Sequence, residues 1–408
     1  MADDVGGPGP GAFRAEARAW LRANYPAELR QPEPPSDPEA VWGGRRFAGS
    51  QDPQIVWMRR MGARGWTAPT WPKAYGGGGL TPAEAQILAE EMATGGFRQP
   101  LFSFGILMLG PALLEYASEA QKREHLPGIV MGDVRWCQGY SEPGAGSDLA
   151  GLATRCEDKG DHWLINGQKV WTSYADKADW CFCLVRTDAS SKHGGISFVL
   201  IDMATPGVET RPIPLISGES PFCETFFTDV RIPKDNLVGK VNGGWEIAKR
   251  LLQYERRNIS AGFGGGGMVG GVAGDIAGIA RDYIGLDAEG RLADPDLRAR
   301  ITRNKMDFHA LALTLSRAAA EDEAGGGVGA ATSIIKVAAA TFAQARSELV
   351  VEAMGAQGLG WEGQDFSPLE IAAVRGWLRA KANSIEGGTS EINLNVVAKR
   401  VLGLPDPA

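Results

Sequence analysis

From residue 135 to about 240 the chain carries an aromatic and β-branched pattern, while the segments on both sides carry a helical one. The runs WLINGQKVWTS (163–173), WCFCLVRTD, GISFVLIDM and CETFFTDVRIP are separated by Gly, Pro, Asp or Ser, as short strands are. Asn166-Gly167 predicts a hairpin turn within the first of them. The connections are too short for helical crossovers, so an antiparallel sheet is expected. Cys181 and Cys183, two apart, would share one face of their strand.

Upstream, AFRAEARAWLRANYP spaces Phe13, Ala17, Trp20 and Leu21 as an amphipathic helix does. LTPAEAQILAEEMAT offers Thr81 as N-cap, Pro82 at the first helical position and Glu84 at the third. Between them WTAPTWPKAYGGGG (66–79) reads as a loop. Downstream, helical segments are predicted at roughly 244–284, 295–322, 329–355, 367–382 and 390–402, with a break at AGGGVGA (324–330). The expected fold is therefore α+β: an N-terminal helical domain (1–134), a middle antiparallel β-domain (135–242) and a C-terminal four-helix-type bundle (243–408).

Charge and composition exclude several partners. A net charge of −7 and no long basic run argue against nucleic acid or an anionic membrane surface. The longest apolar stretch, FSFGILMLGPALL (102–114), is too short to span a bilayer. MADDVGGPGPGAFR resembles neither a signal nor a transit peptide, and the five cysteines form no C-x-x-C, so a reduced, cytoplasmic protein is expected. The four histidines stand apart from one another, and no metal site is expected.

Gly265, Gly267 and Gly270 match a G-x-G-x-x-G pattern, but the segment before them reads as helix and no strand follows. Small residues that let helices pack closely explain it better than a dinucleotide fingerprint. GYSEPGAGSDLAGLATR (139–155) is more informative. Its glycines permit close backbone approach to a ligand, and Ser141 and Ser147 supply hydroxyls. Together with NGQKVWTSYADKAD (166–179), it closely resembles the acyl-CoA dehydrogenase family of flavoproteins. The resemblance continues through WTAPTWPKAYGGGGL, DVRIPKDNLVG (229–239) and SIEGGTSEINLNVVAKRVLG (384–403).

That resemblance implies FAD, an acyl-CoA substrate, an electron-transferring flavoprotein as electron acceptor, and a homodimer, homotetramer or heteromer. By position, the family's flavin contacts fall on Gln138, Ser141, Gly146, Ser147, Trp171, Thr172, Ser173, Thr389 and Glu391, and its substrate contacts on Ser147, Gln253 and Arg256. A flat ring system needs an aromatic wall, and its polar edge needs hydroxyl and backbone donors.

The family's α-proton is removed by a carboxylate. In many members that group directly precedes a Gly-Thr pair, but here Glu386 is one residue too early and Gly387 holds the position. In other branches, resembling the isovaleryl and long-chain enzymes, the base lies on the first helix after the β-domain, just before an arginine. Glu255-Arg256 falls there, and Ala248, Leu252, Glu255 and Ile259 form one helical stripe. A carboxylate among apolar groups has a raised pKa, which suits a base near neutral pH. Glu255 is thus the expected base. Gly387 would offer its backbone N–H to the thioester oxygen, as the resemblance implies.

Two stretches depart from the family. ARDYIGLDAEGRLADPDLRARI (280–301) lacks the R-x-x-F-G segment that grips the flavin pyrophosphate of a neighbouring subunit. VVEAMGAQG (350–358) has Glu352 and Ala356 where glutamine and glycine are common. Three functions remain open: a dehydrogenase, an oxidase passing electrons to dioxygen, and a non-catalytic subunit of a heteromeric enzyme.

Overall fold

The computed structural model describes residues 10–252, 275–323 and 331–405. It comprises two compact units, Met1–Pro212 with Phe222–Leu252, and Ile213–Pro221 with Gln253–Ala408.

The first unit opens with α1 (Pro10–Asn24), α2 (Pro53–Ala63), α3 (Pro82–Thr94), α4 (Gly110–Tyr116) and α5 (Glu119–Met131). Phe13, Ala17 and Leu21 of α1 are buried with Trp57, Met61 and Trp66, and Trp20 packs against them, as their spacing predicts. At the start of α3, Glu84 N donates to Thr81 Oγ1 (3.3 Å) while Thr81 N donates to Glu84 Oε2 (2.8 Å). This reciprocal cap satisfies two helix-end donors. The apolar stretch 102–114 forms a π-helical turn (Gly105–Leu109) and then α4, against which Trp71 is laid.

An eight-stranded sheet follows: β1 (Trp136–Gly139), β2 (Arg155–Asp158), β3 (His162–Ser173), β4 (Trp180–Arg186), β5 (Ile196–Asp202), β6 (Val208–Ile213), β7 (Phe222–Pro233) and β8 (Leu237–Val238). The strand order is β6-β7-β3-β2-β4-β5-β8, with β1 beside β4. Most pairs are antiparallel, but β1 and β2 both pair parallel to β4. Short connections exclude parallel pairing only between strands adjacent in sequence, and β1 reaches β4 past the intervening β2–β3 hairpin.

Asn166-Gly167 is not a turn. It lies inside the continuous strand β3, and the hairpin closes instead where Lys159 N donates to His162 O (3.0 Å). The Asn166 amide is engaged across the sheet: Nδ2 donates to Asp229 Oδ1 (3.1 Å) and Oδ1 accepts from Asp229 N (2.9 Å). Register shifts between Ile165 and Gly167, and Asp229 takes φ 50°. The dipeptide marks a bulge.

Strand β4 is buried on both faces. Cys181, Cys183 and Val185 pack with Cys137, Ile165 and Val199, whereas Phe182 and Leu184 pack with Leu109, Leu113 and Leu126 of the helices. The sheet is thus a wall with α4 and α5 on one side. Helix α6, described over 244–252, adds Ile247, Ala248 and Leu251 to the helix-side core.

The second unit contains α7 (Ile276–Ile284), α8 (Pro295–Glu323), α9 (Ala331–Ala353), α10 (Pro368–Ala380) and α11 (Ser390–Val396). Helix α9 touches the other four. Residues 244–284 do not form one helix, because Asp275 leaves helical geometry (φ −117°, ψ 76°) before α7 begins. The glycine runs at 265–270 and 324–330 lie outside the described residues. No helix among the described residues is long and apolar enough to cross a membrane.

Gly110 tests this packing. A Cβ there would collide with the Trp71 ring, which is buried. Gly110→Ala is expected to cost about 1–3 kcal/mol through overpacking, read as a lowered midpoint in urea unfolding. An unchanged midpoint would show that the ring moves aside freely.

Candidate active site

The segments 139–155 and 166–179 are fastened together. Val170 N donates to Ser141 O (2.9 Å). Beneath this contact Lys169, its side chain fully buried, donates from Nζ to Glu142 Oε1 (2.8 Å) and to Tyr140 O (3.1 Å). Glu142 in turn accepts from Ala153 N (2.6 Å) and Thr154 N (2.9 Å). One buried carboxylate therefore ties both ends of the 140–154 loop to β3. Burial pushes the Glu142 carboxyl up, but the charge and hydrogen bond of Lys169, with the Thr154 and Ala153 donors, outweigh it and hold the pKa below the ordinary value.

The loop that this pair secures is open at its tip. Glu142 and Ala145 exchange N–H···O bonds of 3.0 Å, closing a tight turn over Pro143-Gly144. Gly146 and Ser147 are exposed, Ser141 and Gln138 are half-buried, and nothing lies within 4 Å of a Cβ built at Gly144 or Gly146. Beside it, β3 ends unusually. Trp171 takes φ 59°, a left-handed conformation costly for a bulky residue, and the residue is 54% exposed, its ring meeting Phe222 edge-on. Thr172 points the other way. Its Oγ1 is buried and has no hydrogen-bond partner among the described residues. Ser173, half-buried, completes the strand.

In the second unit, Gly387 (φ 67°) and Gly388 (φ 88°) make consecutive left-handed steps before Thr389, which caps α11 by accepting from Ile392 N (3.2 Å). Non-glycine residues adopt such a step at a cost, which suits Gly387 to its position. Asn393 Nδ2 donates to Gly388 O and Thr389 O, both at 3.0 Å, and Gln344 on α9 holds Ser384 and the end of α10. Glu391 is exposed. Glu386 is committed elsewhere: Arg379 Nη2 donates to its Oε2 at 2.7 Å. Glu352 is likewise engaged, by a bidentate pair with Arg300 (2.6 and 2.7 Å). The polar stretch after α7 folds into a compact turn in which Asp287 accepts from Glu289 N, Arg291 N and Arg291 Nε. Gln253, Glu255 and Arg256 lie outside the described residues.

Family models of the acyl-CoA dehydrogenase N-terminal, middle and C-terminal domains match residues 38–133, 137–230 and 242–402. Acyl-CoA dehydrogenase IpdE1 of Mycobacterium tuberculosis is 36% identical over 97% of this chain and 98% of its own length. The chain belongs to the acyl-CoA dehydrogenase family. Among solved structures, the Tcur3481-Tcur3483 steroid ACAD is 30% identical, with a TM-score of 0.75 covering 99% of this chain and 100% of that one. The ChsE4-ChsE5 complex from Mycobacterium tuberculosis is 28% identical, with a TM-score of 0.74 and full coverage of both chains. The chain is thus an oxidoreductase of a FAD-dependent family.

Glu142 and Lys169 were not singled out from the sequence, although a signal existed. Along β3 the inward positions run Trp163, Ile165, Gly167, Lys169, and a lysine in that phase requires a buried partner. Lys169→Met should cost about 3–5 kcal/mol by stranding the Glu142 charge, and Glu142→Gln in the same chain should recover part of it. A folded-state pKa below the unfolded one gives stability that is present above the ordinary carboxylate range and lost as pH falls through the folded value. Glu142→Gln should therefore flatten the acid limb of the stability–pH curve. A double variant no better than Lys169→Met would contradict the coupling.

Proposed function

We propose that the chain catalyses α,β-dehydrogenation of an acyl-CoA thioester to the trans-2-enoyl-CoA, with FAD as its bound cofactor and an electron-transferring flavoprotein as acceptor, in the cytoplasm. The observation that carries this reading is the pairing of an open Gly-Ser loop with a displayed indole and an unsatisfied buried hydroxyl, all pinned by one buried ion pair. These residues suit a flavin. The Trp171 face supplies an aromatic wall, and Gln138, Ser141, Ser147, Thr172 and Ser173 supply polar groups, with Gly146 allowing close backbone approach. Thr389 and Glu391 are assigned to the same cofactor by position. When bound, FAD supplies the acceptor for the β-hydrogen and its electron pair.

The chain's own residues divide the remaining work. Glu255 takes the α-proton onto its carboxylate. The Gly387 N–H donates to the thioester oxygen and makes that proton more acidic. Ser147, Gln253 and Arg256 hold the CoA thioester. The ion pair of Glu386 with Arg379 supports giving the base role to Glu255, since the Glu386 carboxylate is already engaged.

The departures in the second unit, with the relatives, bear on assembly and substrate. Glu352 is occupied by Arg300, and the segment after α7 is a self-contained turn, so neither is free for the adenine end of a neighbour's cofactor. Relatives of similar length are a ChsE4-ChsE5 complex and a steroid ACAD. This supports a heteromer with a homologous second chain and an acyl-CoA bearing a bulky ring system. The competing oxidase reading predicts rapid reoxidation in air without the electron-transferring flavoprotein.

Glu255→Gln should keep the yellow colour yet lose bleaching of the flavin absorbance by substrate under anaerobic conditions, whereas Glu386→Gln should retain both. A Glu255→Gln enzyme that bleaches at the normal rate would assign the proton to another residue.

A further inference from the structure

Arg135, directly before β1, has no part in the chemistry above, yet its side chain is only 2% exposed. Burying a guanidinium is costly unless its charge and its donors are met. Nη1 donates to Glu39 Oε2 at 2.6 Å, a carboxylate that also accepts from Lys177, while Nη2 has no partner among the described residues. The remaining compensation comes from rings. The guanidinium carbon lies 4.6 Å from the Trp42 ring centre and 5.0 Å from that of Tyr174. The two rings are themselves 4.7 Å apart, and Phe102 meets Trp42 edge-on at 4.6 Å.

The place of this stack in the chain matters. Tyr174 follows Ser173 immediately and is held at φ 53°, so the strand end carrying Trp171–Ser173 is bracketed by two left-handed residues, Trp171 and Tyr174. Arg135 directly precedes the strand that carries Gln138 and leads to Ser141, and its backbone N donates to Asp179 Oδ2 (2.8 Å), beyond the end of β3. Asp179 N and Trp180 N both donate back to Arg135 O. Arg135 therefore meets the residue after Ser173 with its side chain and the 179–180 backbone with its own backbone, and Trp42, from the N-terminal helical region, packs against both the guanidinium and Tyr174.

We propose that Trp42, Arg135 and Tyr174 are positioning residues that set the pitch of the Trp171–Ser173 end of β3, and through it the aromatic wall and the hydroxyl presented to the flavin. The proposal rests on the flavin reading of that strand end. Left-handed backbone at a tyrosine persists only where surroundings over-determine it, and here a neighbouring tryptophan ring and a guanidinium that lies against both rings do so. A purely structural role would lower stability without altering how the cofactor is held.

The test uses full-length protein with its FAD, comparing Trp42→Leu, Trp42→Phe and Tyr174→Leu. Phe47→Leu serves as a control from the separate core of Phe47, Ile55 and Met58. Visible circular dichroism of the bound flavin and the FAD dissociation constant are measured. Trp42→Leu and Tyr174→Leu should change the dichroic bands and weaken FAD at least tenfold, Trp42→Phe should restore both, and Phe47→Leu should change neither. If one leucine variant fails to fold, the other carries the same comparison. Wild-type dichroism and affinity in a leucine variant, or equal changes in Phe47→Leu, would overturn the positioning role. Wild-type protein that binds no FAD would overturn the flavin reading, and this proposal with it.

Discussion

A lysine ammonium and a glutamate carboxylate buried side by side hold together the loop and strand to which the proposed cofactor site belongs. Lys169 lies on β3 and Glu142 in the 140–154 loop, and each also binds backbone of that loop. Either charge alone in that position would be strongly unfavourable, so the loop and β3 are held in one relative arrangement. The turn at 142–145 and the left-handed step at Trp171 both depend on it. A loop bearing Gly144, Gly146 and Ser147 has little apolar surface of its own to hold it in place.

The first unit gathers features that cost stability. A tryptophan with positive φ is displayed to solvent, and beside it a threonine hydroxyl is buried with no hydrogen-bond partner among the described residues. Elsewhere the unit is conventional, with capped helices and a strand, β4, whose two faces enter two different cores. Strain and unmet polarity gathered beside an open loop are what a preorganised ligand site requires, because the ligand supplies the missing contacts. In the second unit the corresponding economy is seen in Glu386 and Glu352, carboxylates near the family's functional positions that are each satisfied by an arginine.

Much of this was legible in the residues. The cap at Thr81 and Glu84, the buried stripe of α1, the shared face of Cys181 and Cys183, and the α+β order all follow from local periodicity and side-chain chemistry. What local pattern could not convey were pairings made at a distance. Asn166-Gly167 has the composition of a turn, but Asp229 on β7 captures the asparagine amide and turns the dipeptide into a bulge. The parallel pairing of β1 and β2 with β4 has no short-range signature, since it depends on how a hairpin is laid between them. Lys169 carried a readable anomaly, a charge in a buried phase, yet its partner lies 27 residues away along the chain. Glu255 was reached entirely through spacing and resemblance, and it lies outside the described residues.

The most direct test of the account is an anaerobic titration of the purified chain, supplied with FAD and with its homologous partner if one co-purifies, against a panel of straight-chain and ring-bearing acyl-CoAs. The account predicts a yellow protein whose flavin absorbance bleaches on adding a ring-bearing thioester and recovers when an electron-transferring flavoprotein is added. A protein that stays colourless with FAD and partner present, or one that binds FAD but is bleached by no acyl-CoA, would contradict it.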